Sequence, residues 1–384
     1  MPARESTVKS GAGPRFIAPT RADAVLFVQS LSQWFRASAR DLPWRRIHDP
    51  YGIWISEAML QQTRVEVVED YWPRFLERFP DLKSLAAADE ECVLEAWSGL
   101  GYYSRARALR AAAQLIVDDH DGRFPRDRSA ALALPGVGPY TAGAVLSIAY
   151  DLPEALVDGN VERVFARLFA LDGVKASSEL GRAAWEAARY FVGIVGERSV
   201  GIGPGLWNQA LMELGALVCT PRAPRCATCC VRSHCAAFKA DRAGEFPRPR
   251  SRKQLIDVTL ETYVVRDGDA VLLIRRPEAG RMAGMWEFPT LELSGTGLFP
   301  SELPGELGPR LEPGFELFTL SHGITHHRIR IQVRAASVSN FDSLDDPAAG
   351  RAIVSLEDAR GLALTGMARK ALGRLDASEG SLFE

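Results

Sequence analysis

The chain has 384 residues, 47% of them apolar and 24% charged, with 33 glycines, 23 prolines and a formal net charge of −2. That length suggests two or three domains, and the composition excludes a disordered, collagen-like or low-complexity chain. No run approaches the roughly 18 uncharged apolar residues of a membrane span, and residues 1–20 lack the apolar segment of a secretory signal. The expected compartment is the reducing cytosol, and any nucleic-acid contact needs locally concentrated cations.

Residues 1–22 read as a polar, mobile tail. From 23 to 37, Ala24, Phe27, Val28, Leu31, Trp34 and Phe35 recur at helical spacing. Similar periodicity predicts helices at about 53–71, 90–97, 104–119, 128–134, 139–150, 159–171, 178–195 and 205–218. Strand-like alternation is scarce, so 23–218 is expected to be one helical domain with short glycine and proline connections such as Gly99-Leu100-Gly101. Within it, Trp54 to Thr63 places Glu57 and Gln61 on one helix face, and the apolar neighbours Ile55, Met59 and Leu60 predict partial burial and a raised carboxyl pKa for Glu57.

The string Leu134-Pro-Gly-Val-Gly-Pro-Tyr-Thr-Ala-Gly143 is a helix, a Gly-x-Gly turn and a second helix that opens with Pro139. Gly136, Val137 and Gly138 would present backbone N–H groups at a helix N-terminus, which suits a phosphate; taken alone, the pattern is also an ordinary helical hairpin. About twenty residues on, Asp158 in Val157-Asp-Gly-Asn-Val161 is placed to cap the next helix.

Six cysteines occur, five of them between Cys219 and Cys235. The spacing Cys219-x6-Cys226-x2-Cys229-x5-Cys235 suits four thiolates around either a tetrahedral metal ion or a [4Fe–4S] cluster, within a loop at 219–235. Cys92 and Cys230 are left over as structural residues. From Cys219 to Lys253 nine Lys/Arg face only Asp241 and Glu245, a local charge of +7. Residues 236–256 therefore read as a basic connector, with 246–253 as a linker.

Beyond it the period changes to two. Val258, Leu260, Thr262 and Val264 alternate with Thr259, Glu261, Tyr263 and Val265; Ala270–Ile274 and 328–333 give further strands, and 366–375 returns to helix. Residues 257–384 are expected to form a small α/β or α+β domain.

These motifs, in this order, resemble the helix-hairpin-helix DNA glycosylases of the endonuclease III superfamily, and among them most closely the branch that excises adenine opposite 8-oxoguanine. The resemblance runs from about residue 24 to 375. It implies a multidomain fold: an all-α helix-hairpin-helix glycosylase domain with the hairpin at 128–150, a Cys₄ iron–sulfur loop, and a Nudix-like α/β (α+β) domain. It assigns the cysteine quartet to a [4Fe–4S] cluster. Lyases of the superfamily carry a lysine in the hairpin, where this chain has Tyr140 and no lysine from 134 to 143. A phenol cannot form an imine, so a monofunctional glycosylase is implied. By the same resemblance Glu57 is the general acid, Asp158 stabilises the sugar cation, and Tyr140 hydrogen-bonds beside them. Trp44, Arg45 and Leu60 line the adenine pocket, Gln209 reads the flipped base, and Gln62 and Tyr102 enter the base stack.

Leu272–Pro277 and Gly284–Pro289 resemble a Nudix domain, but no acidic metal-binding box follows, so hydrolase activity is not expected. The family's recognition loop, His-x-Phe-Ser/Thr-His, corresponds to His322-Gly-Ile-Thr-His326, which makes Thr325 and His326 the candidates for contact with 8-oxoguanine. Ile324 replaces the usual Phe. The implied partner is double-stranded DNA carrying 8-oxoguanine:adenine mispairs, bound by a nucleoid-associated monomer in the cytoplasm, with repair proteins docking on the connector.

Overall fold

The computed structural model describes residues 13–197, 201–251, 254–277, 280–305 and 307–377. Residues 1–12 of the expected tail, Arg252 and Lys253 of the connector, and residues 378–384 lie outside the described residues. The chain divides into two compact units, one of residues 1–87 and 108–251, the other of residues 88–107 and 252–384.

The first unit is helical. Its elements begin with Arg21–Ser38 (α1), Pro50–Leu60 (α2), Val65–Arg78 (α3) and Leu82–Ala87 (α4). After Glu90–Ala96 (α5), which belongs to the second unit, come Ser104–Asp119 (α6), whose first turn to Arg107 also belongs to the second unit, Arg128–Ala133 (α7), Pro139–Tyr150 (α8), Gly159–Leu168 (α9), Ser178–Val195 (α10), Pro204–Leu217 (α11) and the short Ala236–Lys239 (α12). Local chemistry sets the starts. Thr20, Asp49, Asp127, Asp158 and Ser177 cap α1, α2, α7, α9 and α10 with side-chain oxygens, and proline opens α2, α8 and α11.

The helix expected at 53–71 is two helices. Gln62 takes φ +62°, a left-handed conformation that a right-handed helix cannot continue, so the chain turns between α2 and α3. Gln61 becomes the extended C-cap of α2 instead of sharing a helix face with Glu57.

The core of this unit is aromatic. Phe165 stacks on Phe191 at 6.1 Å, and Trp207 lies edge-on to Phe27 at 5.4 Å. Trp207, Phe165 and Phe191 are fully buried, each worth about 1.5–3 kcal/mol of transfer free energy. Part of the expected tail joins this core: Phe16 sits edge-on to Phe169 at 4.9 Å, and the Tyr190 hydroxyl donates to the Pro19 carbonyl at 2.9 Å. Part of the expected linker does so as well. Phe246 is buried, and Arg248 forms a β-bridge with Val174.

The second unit is built on a sheet of Ile256–Asp267 (β1), Ala270–Arg275 (β2), Trp286–Glu287 (β3), Thr290–Glu292 (β4), Leu311–Ile324 (β5), His327–Val338 (β6) and Arg351–Ser355 (β7). The main path runs β3-β2-β1-β6-β5, with β4 on β1 and β7 on β2. β1 and β6 are parallel, with Leu260 opposite Ile331, and β5 and β6 form an antiparallel hairpin. Short helices follow at Leu307–Arg310 (α13) and Leu356–Gly361 (α14) before Gly366–Ala377 (α15).

The alternation read in β1 has a direct meaning. Val258, Leu260 and Val264 face Met367, Ala371 and Leu372 of α15, while Tyr263 and Val265 face Leu307 and Leu344. β5 escaped the sequence reading because register shifts between Pro313 and Phe318 break its alternation.

The stretch 88–107 packs with this unit, whereas the sequence reading runs the helical domain unbroken from 23 to 218. Trp286 Nε1 donates to Glu91 at 3.4 Å, Tyr103 donates to the Leu364 carbonyl at 3.5 Å, and Arg369 reaches Ser98.

Candidate active site

In the first unit, α2, α8, α9 and α11 surround a cavity of about 550 Å³. Trp44, Arg45, Glu57, Leu60, Gln62, Tyr140, Asp158 and Gln209 all line it. Eight candidates scattered over more than 160 residues thus meet in one place.

Glu57, on a nearly all-apolar α2, is 5% exposed. The Tyr140 hydroxyl donates to its Oε2 at 2.5 Å, and the Tyr140 hydroxyl oxygen also lies 3.4 Å from Met212 Sδ. Burial pushes the Glu57 carboxyl up to about 7; the Tyr140 hydrogen bond works against this and the Asp158 charge with it. Burial first, and then the Glu57 charge, raises the Tyr140 phenol well above its ordinary value.

Asp158 performs the capping role that its position predicts. Its Oδ1 accepts from Asn160 N–H at 3.0 Å and Val161 N–H at 2.7 Å, and Oδ2 accepts from Asn160 Nδ2 at 2.8 Å. Burial nevertheless raises its pKa, and these donors only offset the shift, so the helix N-terminus does not depress the carboxyl as a solvated cap would.

Sequence reasoning missed several residues here. Asn160, Met212, Arg40 and Glu213 also line the cavity. Glu213 is 1% exposed and is held by Arg40 at 2.7 Å and Arg45 at 2.9 Å. Burial would raise its carboxyl, but the hydrogen bonds from Arg40 and Arg45 hold it down at about 2. Arg45 thus lines the cavity and is fixed by a carboxylate 168 residues away. Asn160 in turn accepts from buried Arg163 Nη2 at 2.8 Å. Arg163 also donates to the carbonyls of Gly215 at 2.8 Å and Cys219 at 2.7 Å, joining α9 to the cysteine loop. Gly215 allows this packing, since a Cβ there would lie 2.6 Å from Asn160 Cβ.

The hairpin residues lie apart from the cavity lining. Gly136 has φ +73°, and a Cβ on it would meet Ala108 Cβ at 2.7 Å. Gly138 caps α8, with open space around its Cα. Val137 is buried.

Cys219, Cys226, Cys229 and Cys235 all border one small cavity with an apolar lining. Arg167, buried on α9, donates to Cys219 Sγ at 3.3 Å. Burial pushes the Cys235 thiol up to about 11.

The second unit has its own cavity of about 550 Å³, lined by Tyr102, Arg107, Met282, His322, Ile324 and Thr325 among others. Thr325 and His326 form the two-residue tip of the β5–β6 hairpin, with Thr325 at φ +54° and its Oγ1 3.4 Å from His326 Nδ1. Tyr102, at φ +49°, is 51% exposed. Gln62, Tyr102 and Thr325 are therefore all non-glycine residues in the left-handed region. Such residues occur at sites that the surrounding structure over-determines.

A helical hairpin beside a cavity lined by Glu57 and Asp158, followed by a sheet unit, defines the class. Residues 55–189 match the HhH-GPD superfamily of base excision DNA repair proteins, and residues 262–374 match the NUDIX domain. Among curated proteins the chain is similar to the adenine DNA glycosylase of Mus musculus, 36% identical over 76% of this chain and 65% of that one. It is also similar to that of Schizosaccharomyces pombe, 32% identical over 75% of this chain and 74% of that one. The chain belongs to the adenine DNA glycosylase family. It spans about two thirds of the length of the mouse and rat relatives, 65% and 66%. Among solved structures it is similar to a thermostable thymine-DNA glycosylase, with TM-score 0.50 and 29% identity over 58% of this chain and 99% of that one.

Proposed function

We propose that the protein is a monofunctional DNA glycosylase that hydrolyses the N-glycosidic bond of adenine mispaired with 8-oxoguanine or guanine. The observation that carries this reading is the pairing of Glu57 with Tyr140 in the same cavity as Asp158. A base inside a duplex is out of reach, so the adenosine must leave the stack and enter the cavity. Adenine leaves only when a ring nitrogen is protonated. With its carboxyl pushed up to about 7, a substantial share of Glu57 carries a proton near neutral pH. Tyr140 occupies Oε2, which leaves Oε1 to deliver that proton. As the base departs, positive charge grows on the sugar, which the Asp158 carboxylate, held by Asn160 and Val161, would stabilise until water adds at C1′ and loses a proton to leave the abasic sugar. Gln209 carries the paired donor and acceptor that suit an adenine edge. Gly136–Gly138 would hold a phosphate. Thr325 and Tyr102, around the second cavity, would check the opposite base.

The cysteine quartet suits a [4Fe–4S] cluster. Cys219, Cys226, Cys229 and Cys235 border a common apolar cavity, with the Arg167 guanidinium on the Cys219 sulfur. Cys219, Cys226, Cys229 and Cys235 would hold the cluster, which supplies structural bonds across the loop.

The test is a single-turnover excision assay on a duplex with adenine opposite 8-oxoguanine, run beside A:T and thymine-glycol duplexes. Strand breaks only at the mispaired adenine, and only after alkali, are expected. Scission without alkali, or preference for the damaged pyrimidine, would overturn the proposal in favour of an endonuclease III-like lyase.

A further inference from the structure

Arg167 is a charged residue that the glycosylase chemistry does not use. It is 2% exposed, on the last turn of α9, and every donor on its guanidinium that has a partner points into the cysteine loop and connector. Nη1 donates to Cys219 Sγ at 3.3 Å and to the Thr220 carbonyl at 2.8 Å. Nη2 donates to the Pro221 carbonyl at 3.1 Å, and Nε to the Phe246 carbonyl at 2.9 Å. Its own carbonyl lies 3.4 Å from Cys235 Sγ. One residue thus touches the first and last cysteines of the quartet, and the connector as well.

A buried guanidinium is costly unless it faces negative charge. These partners are three carbonyls and a sulfur. The missing counter-charge is that of thiolates around a cluster. We propose that Arg167 is the electrostatic clamp of the iron–sulfur cluster, neutralising it through the Cys219 sulfur and closing the connector over it through Phe246. This rests on the cluster reading above. A hydrogen bond and a positive charge at a ligand sulfur favour the reduced cluster, so Arg167 raises its potential and slows its loss.

The test uses the full-length holoprotein. The wild-type chain is purified and its visible cluster absorbance recorded first; a colourless, iron-free protein that folds would sink the cluster reading itself. Arg167→Gln, Arg167→Lys and Arg189→Gln are then compared, the last removing the same charge from an exposed site. The midpoint of the cluster's one-electron couple is followed by electron paramagnetic resonance, and iron release by a coloured chelator. A shift to more negative potential and faster iron release are expected for Arg167→Gln, smaller changes for Arg167→Lys, and none for Arg189→Gln. If Arg167→Gln purifies without a cluster, Arg167→Lys, which keeps the charge, decides. Wild-type midpoint and wild-type iron release in a loaded Arg167 variant would overturn the proposal.

Discussion

The Tyr140 hydroxyl lies 2.5 Å from Oε2 of Glu57, an acid–phenol pair drawn from helices 83 residues apart. Tyr140 stabilises the charged form of Glu57 and so opposes the burial that raises its pKa. The reactive form is the protonated one. Excision should therefore fall as pH rises through about 7, by tenfold per pH unit on the descending limb. In Tyr140→Phe the opposing hydrogen bond is gone, the carboxyl rises further, and the limb should move to higher pH. Single-turnover rates across pH 5 to 9 check both; a limb that stays in place in the variant removes the coupling.

Asp158→Asn separates the two tasks of this residue. Asparagine caps a helix as well as aspartate does, so α9 should survive and stability should change by less than about 1 kcal/mol. Without the carboxylate, excision should fall by on the order of 10²–10³-fold, the scale of losing one charge-stabilising group. Duplex binding should persist. A variant that excises at the wild-type rate would remove Asp158 from the chemistry.

Glu213 ties stability to pH. Its folded carboxyl sits near 2, below the roughly 4.3 of an unfolded chain. A depressed pKa contributes stability that is present above the unfolded value and lost as pH falls through the folded one, here from about 4.3 to about 2. Replacing it by Gln leaves Arg40 and Arg45 facing a neutral amide and should cost about 3–5 kcal/mol in the helical unit. Urea denaturation at pH 7 and pH 3 reads this out. The difference between wild type and variant should shrink at the lower pH.

Gly136→Ala tests the hairpin. A Cβ at φ +73° is strained by about 1–2 kcal/mol, and this one also meets Ala108 Cβ at 2.7 Å. Melting temperature should drop, and duplex affinity should weaken alike for mispaired and ordinary DNA, since a phosphate contact carries no sequence. A loss confined to the mispair would show that the hairpin reads bases.

Much of the first cavity was legible because its residues sit in short strings with strong local signals. The capping Asp158 and the apolar flanks of Glu57 each announce a conformation or an environment within ten residues. The pairing of Arg40 and Arg45 with Glu213 carries no such signal, since each looks like a surface charge until the fold joins them. The direction of the Asp158 shift was also beyond reach, because burial is a property of the assembled unit and it outweighs the cap. Gln61 was misplaced for want of one backbone angle at Gln62. The strand β5 was lost to its bulges, whereas β1 and β6 kept the alternation of a sheet packed on both faces.

The stretch from residue 88 to 107 has one more consequence. It packs with the sheet unit although residues 108–251 separate the two in sequence. No single cut can therefore part the units. A stop codon near residue 251 would spare Phe246 and the cysteine loop, yet it would strip Glu91 of Trp286, Tyr103 of Leu364 and Ser98 of Arg369. A sheet domain acquired late, by simple fusion at the C-terminus, would leave the older domain whole when removed. Here residues 88–107 interrupt the helical unit in sequence, and a truncated gene product would carry that stretch without its packing partners.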